Sequence, residues 1–286
     1  MRIIKRKKGI NEYYYLQHSV RLGRKIVTKE KYLGKIVPAN IKERMLKLKK
    51  EMPGNLNKKL EMIKRHFQAE WKKIPESAKR KEKEEISISF TYNTNAIEGS
   101  TITLEETREI IKDQISPNKP LRDISETEAH NLVFLEMFGQ KKAIDNKRLL
   151  DWHKKIFEKS KPDIAGKYRD YLVRVGDYLA PDWQEVKGMM NNLLEFINSS
   201  KINPVELSAR AHYRFEKIHP FGDGNGRIGR LIMNDILWHK KYPMIIIEYK
   251  KRMSYYKALQ RDEDGFASYF IRRFLSIHKK RYLRAH

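Results

Sequence analysis

The chain has 286 residues, enough for one sizeable core and a small accessory module. It has no cysteine, which excludes disulfides, cysteine-based zinc sites and thiol catalysis. With 61 Lys and Arg against 36 Asp and Glu, the formal charge is +25, and 16 of those cations, against three Glu, fall in the first 50 residues.

Polyanions such as nucleic acid would be drawn to that N-terminal end. A lysine-rich composition of the kind found in heat-adapted proteins gives the same excess. No apolar run approaches membrane-spanning length, and the N-terminus lacks the apolar stretch of a signal peptide. A soluble, cytoplasmic protein without membrane association is therefore expected.

Residues 12 to 36 carry aromatic and β-branched residues on either side of a polar Arg-Leu-Gly-Arg-Lys turn (residues 21–25), the pattern of a β-hairpin. Pro38 closes this module. From about 40 to 73 the pattern is helical and heavily charged, broken at Pro53-Gly54. Pro75 and Ser77 then introduce a helix that runs towards Thr94-Asn95-Ala96-Ile97-Glu98-Gly99. Gly99 suits a helix C-cap, which puts Glu98 in the last turn, the unfavourable end for a carboxylate in the helix dipole.

Amphipathic helices are expected over Lys147–Glu158 and Trp183–Ile197, and between them residues 166 to 181 read as two short strands around Gly176-Asp177. His130, His153, His212 and His239 sit in helical patterns, with no two-histidine-plus-acid spacing suited to zinc.

The densest chemistry lies in His-Pro-Phe-Gly-Asp-Gly-Asn-Gly-Arg-Ile-Gly-Arg, residues 219 to 230. Apolar residues at 228, 231, 232 and 236 place a helix directly after the glycines. A glycine-rich loop opening a helix aims backbone N–H groups and the positive dipole end at one point, a ready phosphate site. Asp223 can hold a divalent ion together with phosphate oxygens. Arg227 and Arg230 lie on one side of the first turn and can fork onto further phosphate oxygens. His219 is the group suited to take a proton near neutrality. No Gly-Lys-Ser/Thr follows, so this is not a Walker A loop. Nor is it a calcium loop, because Arg227 and Asn234 stand where ligands are needed.

Residues 219 to 230 match the Fic motif, His-x-Phe-x-Asp/Glu-Gly-Asn-Gly-Arg-x-x-Arg, at every specified position, and the chain resembles the Fic family over about residues 80 to 278. Thr94 to Gly99 also resembles the family's inhibitory motif, Ser/Thr-x-x-x-Glu-Gly/Asn, in its N-terminal placement. The resemblance implies an all-α fold: a bundle of about eight helices with a β-hairpin flap and a small N-terminal β-hairpin module. The chain then divides into a basic module (1–40), a helical region with the inhibitory helix (41–140), a Fic core (141–278) and a basic tail (279–286).

The implied activity is transfer of AMP from ATP to a Ser, Thr or Tyr hydroxyl of a target protein, and of the chain itself. His219 would be the base and Asp223 the Mg²⁺ ligand. Gly224, Asn225, Gly226, Arg227, Ile228, Gly229 and Arg230 would hold the phosphates, with Tyr255 and Tyr256 beside the base. Relatives often carry an Asn where this chain has Glu263. Leu172, Val173, Arg174 and Val175 would form the flap edge that pairs with the target's backbone. Glu98, aided by Thr94, would engage Arg230 and block the γ-phosphate. Alternatives are removal of AMP from a modified protein, with Glu98 aligning water, and a non-catalytic basic module that binds nucleic acid or protein. A homodimer, polyanion binding through the N-terminus and a phosphate donor other than ATP are further expectations left open at this point.

Overall fold

The computed structural model describes residues 1–22, 25–51, 56–139 and 143–283. It divides into two compact units, Met1–Met62 and Ile63–His286.

In the first unit β1 (Arg2–Lys8), β2 (Asn11–Leu22) and β3 (Lys25–Gly34) form an antiparallel sheet in the order β1-β2-β3, followed by α1 (Ile41–Glu51). The expected hairpin is thus a three-stranded sheet. β1 reads Arg-Ile-Ile-Lys-Arg-Lys-Lys, and its cations hide the alternation by which a strand is recognised. Lysines along such an edge strand discourage pairing with other chains. Leu16 and Leu33 share one face of the sheet and bury against Leu48 of α1, with Tyr14, Ile41 and Met45 around them. Gly23 and Arg24 of the expected turn, and the Pro53-Gly54 break, lie outside the described residues.

The second unit takes in most of α2 (Leu56–Lys73), then α3 (Glu76–Ile97), α4 (Leu104–Arg108), a π-helical turn (Glu109–Asp113), α5 (Leu121–Gly139) and α6 (Asn146–Phe157). A two-stranded hairpin of β4 (Arg174–Val175) and β5 (Tyr178–Leu179) follows. The chain ends with α7 (Trp183–Ser199), α8 (Pro204–Ile218), α9 (Asn225–His239), a 3₁₀ turn (Tyr249–Lys251), α10 (Arg252–Leu259) and α11 (Glu263–Tyr282). The described residues thus form eleven α-helices rather than about eight. The short α4 and α10 are too brief to show a 3.6-residue period. The fold is mostly helical with small antiparallel sheets, and none of the described helices is long and apolar enough to cross a membrane.

α9 is the central element. Every residue from Arg227 to Leu237 is buried, not only the apolar stripe visible in the sequence. A helix buried on all sides lies inside the bundle, and α9 packs against α3, α5, α6 and α8. Trp152, Phe134, Phe215, Ile228 and Ile232 form the heart of that core. The polar residues of α9 are there because each has a partner. Asp235 takes the guanidinium of Arg148. Asn234 accepts from the Ile245 N–H at 2.9 Å and donates to the Ile245 carbonyl at 3.0 Å, tying the chain beyond α9 back onto it. Asn234→Ala strands both buried groups of Ile245 and should cost about 2–3 kcal/mol in denaturant unfolding. A loss below about 0.5 kcal/mol would mean the clamp is dispensable.

Candidate active site

α8 stops at His219, whose backbone turns left-handed (φ 50°, ψ 59°). That turn swings the chain into the loop that opens α9. Asn225 closes the loop with its side chain: Oδ1 accepts from the Phe221 N–H at 2.9 Å and Nδ2 donates to the Phe221 carbonyl at 2.8 Å. The Phe221 ring is fully buried and stacks on His153 with centroids 3.9 Å apart. Nδ1 of His153 accepts from the Gly166 N–H at 3.0 Å, so its Nε2 carries the proton and donates to the Asp223 carbonyl, also at 3.0 Å. Burial pushes this imidazole down to about 4, which keeps that tautomer neutral at physiological pH.

Arg169 fastens the loop from the other side. It is 4% exposed and donates to the carbonyls of His219 at 2.8 Å, Tyr171 at 2.8 Å and Pro181 at 2.6 Å. One guanidinium therefore ties the base of the β4–β5 hairpin to the first residue of the motif.

Gly224 is the N-cap of α9 at φ 78°, and no side chain caps the helix. A Cβ at Gly224 would also lie 2.3 Å from the Phe157 ring, so the position needs glycine twice over. The first N–H groups of α9 have no intrahelical acceptor and open into a cleft of about 780 Å³. His219, Asp223, Gly224, Asn225, Gly226, Arg230 and Glu98 line it, with Val173, Arg174 and Val175 of the hairpin on one side and Tyr255 and Tyr256 on another.

Other motif residues face elsewhere. Ile228 belongs to the hydrophobic core, and Gly229 lets His212 approach, since a Cβ there would be 2.8 Å from its Nδ1. Arg227 pairs with buried Glu126 and lies 4.4 Å from the Phe157 ring centre. Burial alone would raise the Glu126 carboxyl, but the Arg227 guanidinium outweighs it and holds it low. Leu172 is 59% exposed just before the hairpin strands. Glu263 sits away from the cleft lining and pairs with Arg210 at 3.0 Å.

Asp223 remains 43% exposed and accepts from Lys161 at 2.7 Å. Burial raises its pKa, but Lys161 and Arg227 outweigh that and hold it below the usual value, so it is ionised. Burial also lowers the pKa of His219 below the ordinary 6.5, leaving a neutral imidazole at pH 7. Tyr255 is almost fully buried and bonds Nε2 of His212 at 2.8 Å, whereas half-exposed Tyr256 donates to the Ile97 carbonyl at 2.9 Å.

Arg230 is 1% exposed. Its Nε donates to Thr94 Oγ1 at 2.6 Å, and its Nη2 donates to the Thr94 carbonyl at 3.2 Å and to Glu98 Oε1 at 2.6 Å. Glu98 is the C-cap of α3, with Gly99 following at φ 94°. The carboxylate reaches α9 so closely that a Cβ at Gly226 would lie 2.1 Å from it. The cost of an acid at the C-terminal end of α3 is thus offset by the N-terminal end of α9.

Sequence reasoning gave no site role to Arg169, His153, Glu126, Lys161 or Glu216, all of which touch or border the site. Only Glu216 gave a local signal, lying one turn before His219 on the same helix. It borders the cleft with its side chain 13% exposed, and Oε1, 3.9 Å from His212 Nε2, accepts no hydrogen bond. Burial pushes its carboxyl up to about 7; Arg230 opposes this and Glu98 reinforces it.

Residues 143–237 match the model of the Fic/DOC family. The chain carries a Fic domain. Over 196 residues it is 33% identical to "Protein adenylyltransferase Fic" of Nematostella vectensis, covering 66% of this chain and 46% of that protein. The protein of the same name from Drosophila willistoni is 32% identical, with 68% and 41% covered. The chain therefore spans less than half the length of these curated relatives. Among solved structures, Fic-1 from C. elegans (residues 134–508) superposes with a TM-score of 0.67 at 25% identity, covering 86% of this chain and 77% of that one. A Fic domain containing signaling protein from Bacteroides thetaiotaomicron shares the fold, with a TM-score of 0.67 over 77% of this chain and 96% of that one, at 24% identity.

Through Glu216 the stability of the Fic domain depends on pH. The carboxyl's folded pKa of about 7 exceeds the ordinary 4.5, so the folded state holds the proton longer and wild-type stability falls as pH rises from about 4.5 to 7. Glu216→Gln mimics the protonated form and should remove on the order of 2–3 kcal/mol of that decline, read by chemical denaturation at pH 5 and pH 8. Parallel pH profiles for both proteins would show that the carboxyl is not held neutral.

Proposed function

We propose that this chain transfers AMP from ATP to a Ser, Thr or Tyr hydroxyl of a target protein, restrained by its own Glu98. The observation that carries this reading is convergence on one cleft: a neutral His219, the uncapped N-terminus of α9 and the hairpin edge, with Glu98 bound to Arg230. The names of the relatives point the same way.

The α-phosphate would lie against the first N–H groups of α9, where the helix dipole favours negative charge. His219 accepts the hydroxyl proton as the oxygen attacks the α-phosphorus and pyrophosphate leaves. Asp223 fits Mg²⁺, being ionised and open to the cleft. Among the described residues no cluster of three His, Asp or Glu could hold a metal alone. That suits an ion bound by one carboxylate and phosphate oxygens. When bound, Mg²⁺ neutralises phosphate charge. Freed from Glu98, Arg230 would take the γ-phosphate.

Incubation with ATP and Mg²⁺ followed by intact mass spectrometry tests the reading: Glu98→Gly should gain AMP moieties. His219→Ala placed in that background should lose transfer by at least about 100-fold while still binding ATP. Undiminished self-modification would remove His219 from the chemistry.

Glu98→Gly should incorporate labelled AMP well above wild type, and adding Arg230→Ala should cancel the gain, because two members of one ion pair act non-additively. Equal incorporation by wild type and Glu98→Gly would sink the restraint.

In the hairpin, Ala180 donates to the Val173 carbonyl at 3.0 Å and Val175 pairs with Tyr178, so the backbone of Arg174 points outward. Arg174→Pro deletes one outward N–H and should slow target modification several-fold with ATP affinity unchanged. An equal loss of ATP affinity would make the hairpin a nucleotide contact instead.

A further inference from the structure

The N-terminal sheet has two unlike faces. Leu16 and Leu33 point to α1 and bury there. The register puts the opposite set together: Arg6 faces Tyr13, Ile4 faces Tyr15, Tyr15 faces Tyr32, and Gln17 stands between Arg2 and Glu30. This second face carries three tyrosines from two strands. Tyr32, 51% exposed, lies between the other two, with ring centres 5.3 Å from Tyr15 and 6.1 Å from Tyr13.

Cations surround the rings. The Arg6 guanidinium sits 4.9 Å from the Tyr15 ring centre and Lys35 Nζ 6.0 Å from that of Tyr13. The acid on this face, Glu30, is engaged by Arg6 and Gln17, each at 2.7 Å. Residues 1 to 36 hold 11 Lys and Arg against two Glu.

We propose that this open face binds single-stranded nucleic acid, with bases stacked on the tyrosines and phosphates held by the flanking cations. Charge alone would attract any polyanion, with affinity that falls steeply with salt. The rings decide among polyanions. Every unpaired base offers a π-face to an aromatic platform, whereas a duplex keeps its bases stacked inside and an acidic peptide has none. A sheet that presents aromatics to unpaired bases is a recurring solution for single strands. The tyrosines belong to the first unit and the nucleotide cleft to the second, so the proposal stands or falls apart from AMP transfer.

Fluorescence anisotropy of the whole chain tests this with labelled 12-mer single strands of DNA and of RNA, a DNA duplex of equal length, and poly-glutamate as competitor. Single strands should bind on the order of ten-fold tighter than the duplex. Tyr13→Ala with Tyr32→Ala should weaken single-strand binding on the order of ten-fold or more, while Tyr32→Phe, which keeps the ring, stays near wild type. Arg6→Gln should lower the salt dependence. Should the double variant fail to fold, upfield shifts of the tyrosine ring protons on adding the oligonucleotide to wild type report stacking directly. Equal affinity for duplex and single strand, displacement by poly-glutamate at matched charge, or unshifted ring protons would overturn the proposal. Preference between the DNA and RNA arms identifies which single strand the face serves.

Discussion

A guanidinium that is 1% exposed must keep an anion beside it, and Arg230 on α9 is under that constraint. Its partner is Glu98, helped by the hydroxyl and carbonyl of Thr94. Glu98 in turn lies between two helix ends of opposite sign, leaving α3 and facing the first turn of α9. In the cleft a buried cation, Arg230, is therefore held by an anion that occupies ground suited to phosphate. In the proposed function, substrate and restraint compete for the same charge.

The other parts of the site are held by contacts that leave little freedom. Arg169, Asn225 and the His153–Phe221 stack fix the turn between α8 and α9 from three directions. His219 is thereby set at one edge of the cleft and the N-terminus of α9 beside it. α9 itself is anchored along its length by the core and by the Asn234 clamp. A site built at the junction of two packed helices is more rigid than one carried on a loop.

Legibility in the sequence followed locality. Residues 219 to 230 are contiguous, so the base, the carboxylate, the amide and both arginines could be read together. The helix end at Glu98 was visible from Gly99, but its approach to Arg230 spans 132 positions and came only from family resemblance. Arg169 and Glu126 could not be read, because their partners lie 50 and 101 residues away. His153 looked like an ordinary helical histidine, and it is a packed one, yet its two ring nitrogens bridge Gly166 and Asp223. β1 was hidden because charge replaced alternation. By spacing alone the two arginines of the motif looked equivalent, and packing separates them: Arg227 is turned to Glu126 and Arg230 lines the cleft.

In the proposed function, Glu98 and the γ-phosphate compete for Arg230. The most direct test compares the affinities for ATP and ADP, with Mg²⁺ present, of wild type, Glu98→Gly, and Glu98→Gly combined with Arg230→Ala. Glu98→Gly should prefer ATP over ADP by about five-fold or more beyond wild type, as a charge-assisted contact is worth roughly 1–3 kcal/mol. Adding Arg230→Ala should abolish that preference. An ATP-to-ADP ratio that is the same in all three proteins would contradict the account.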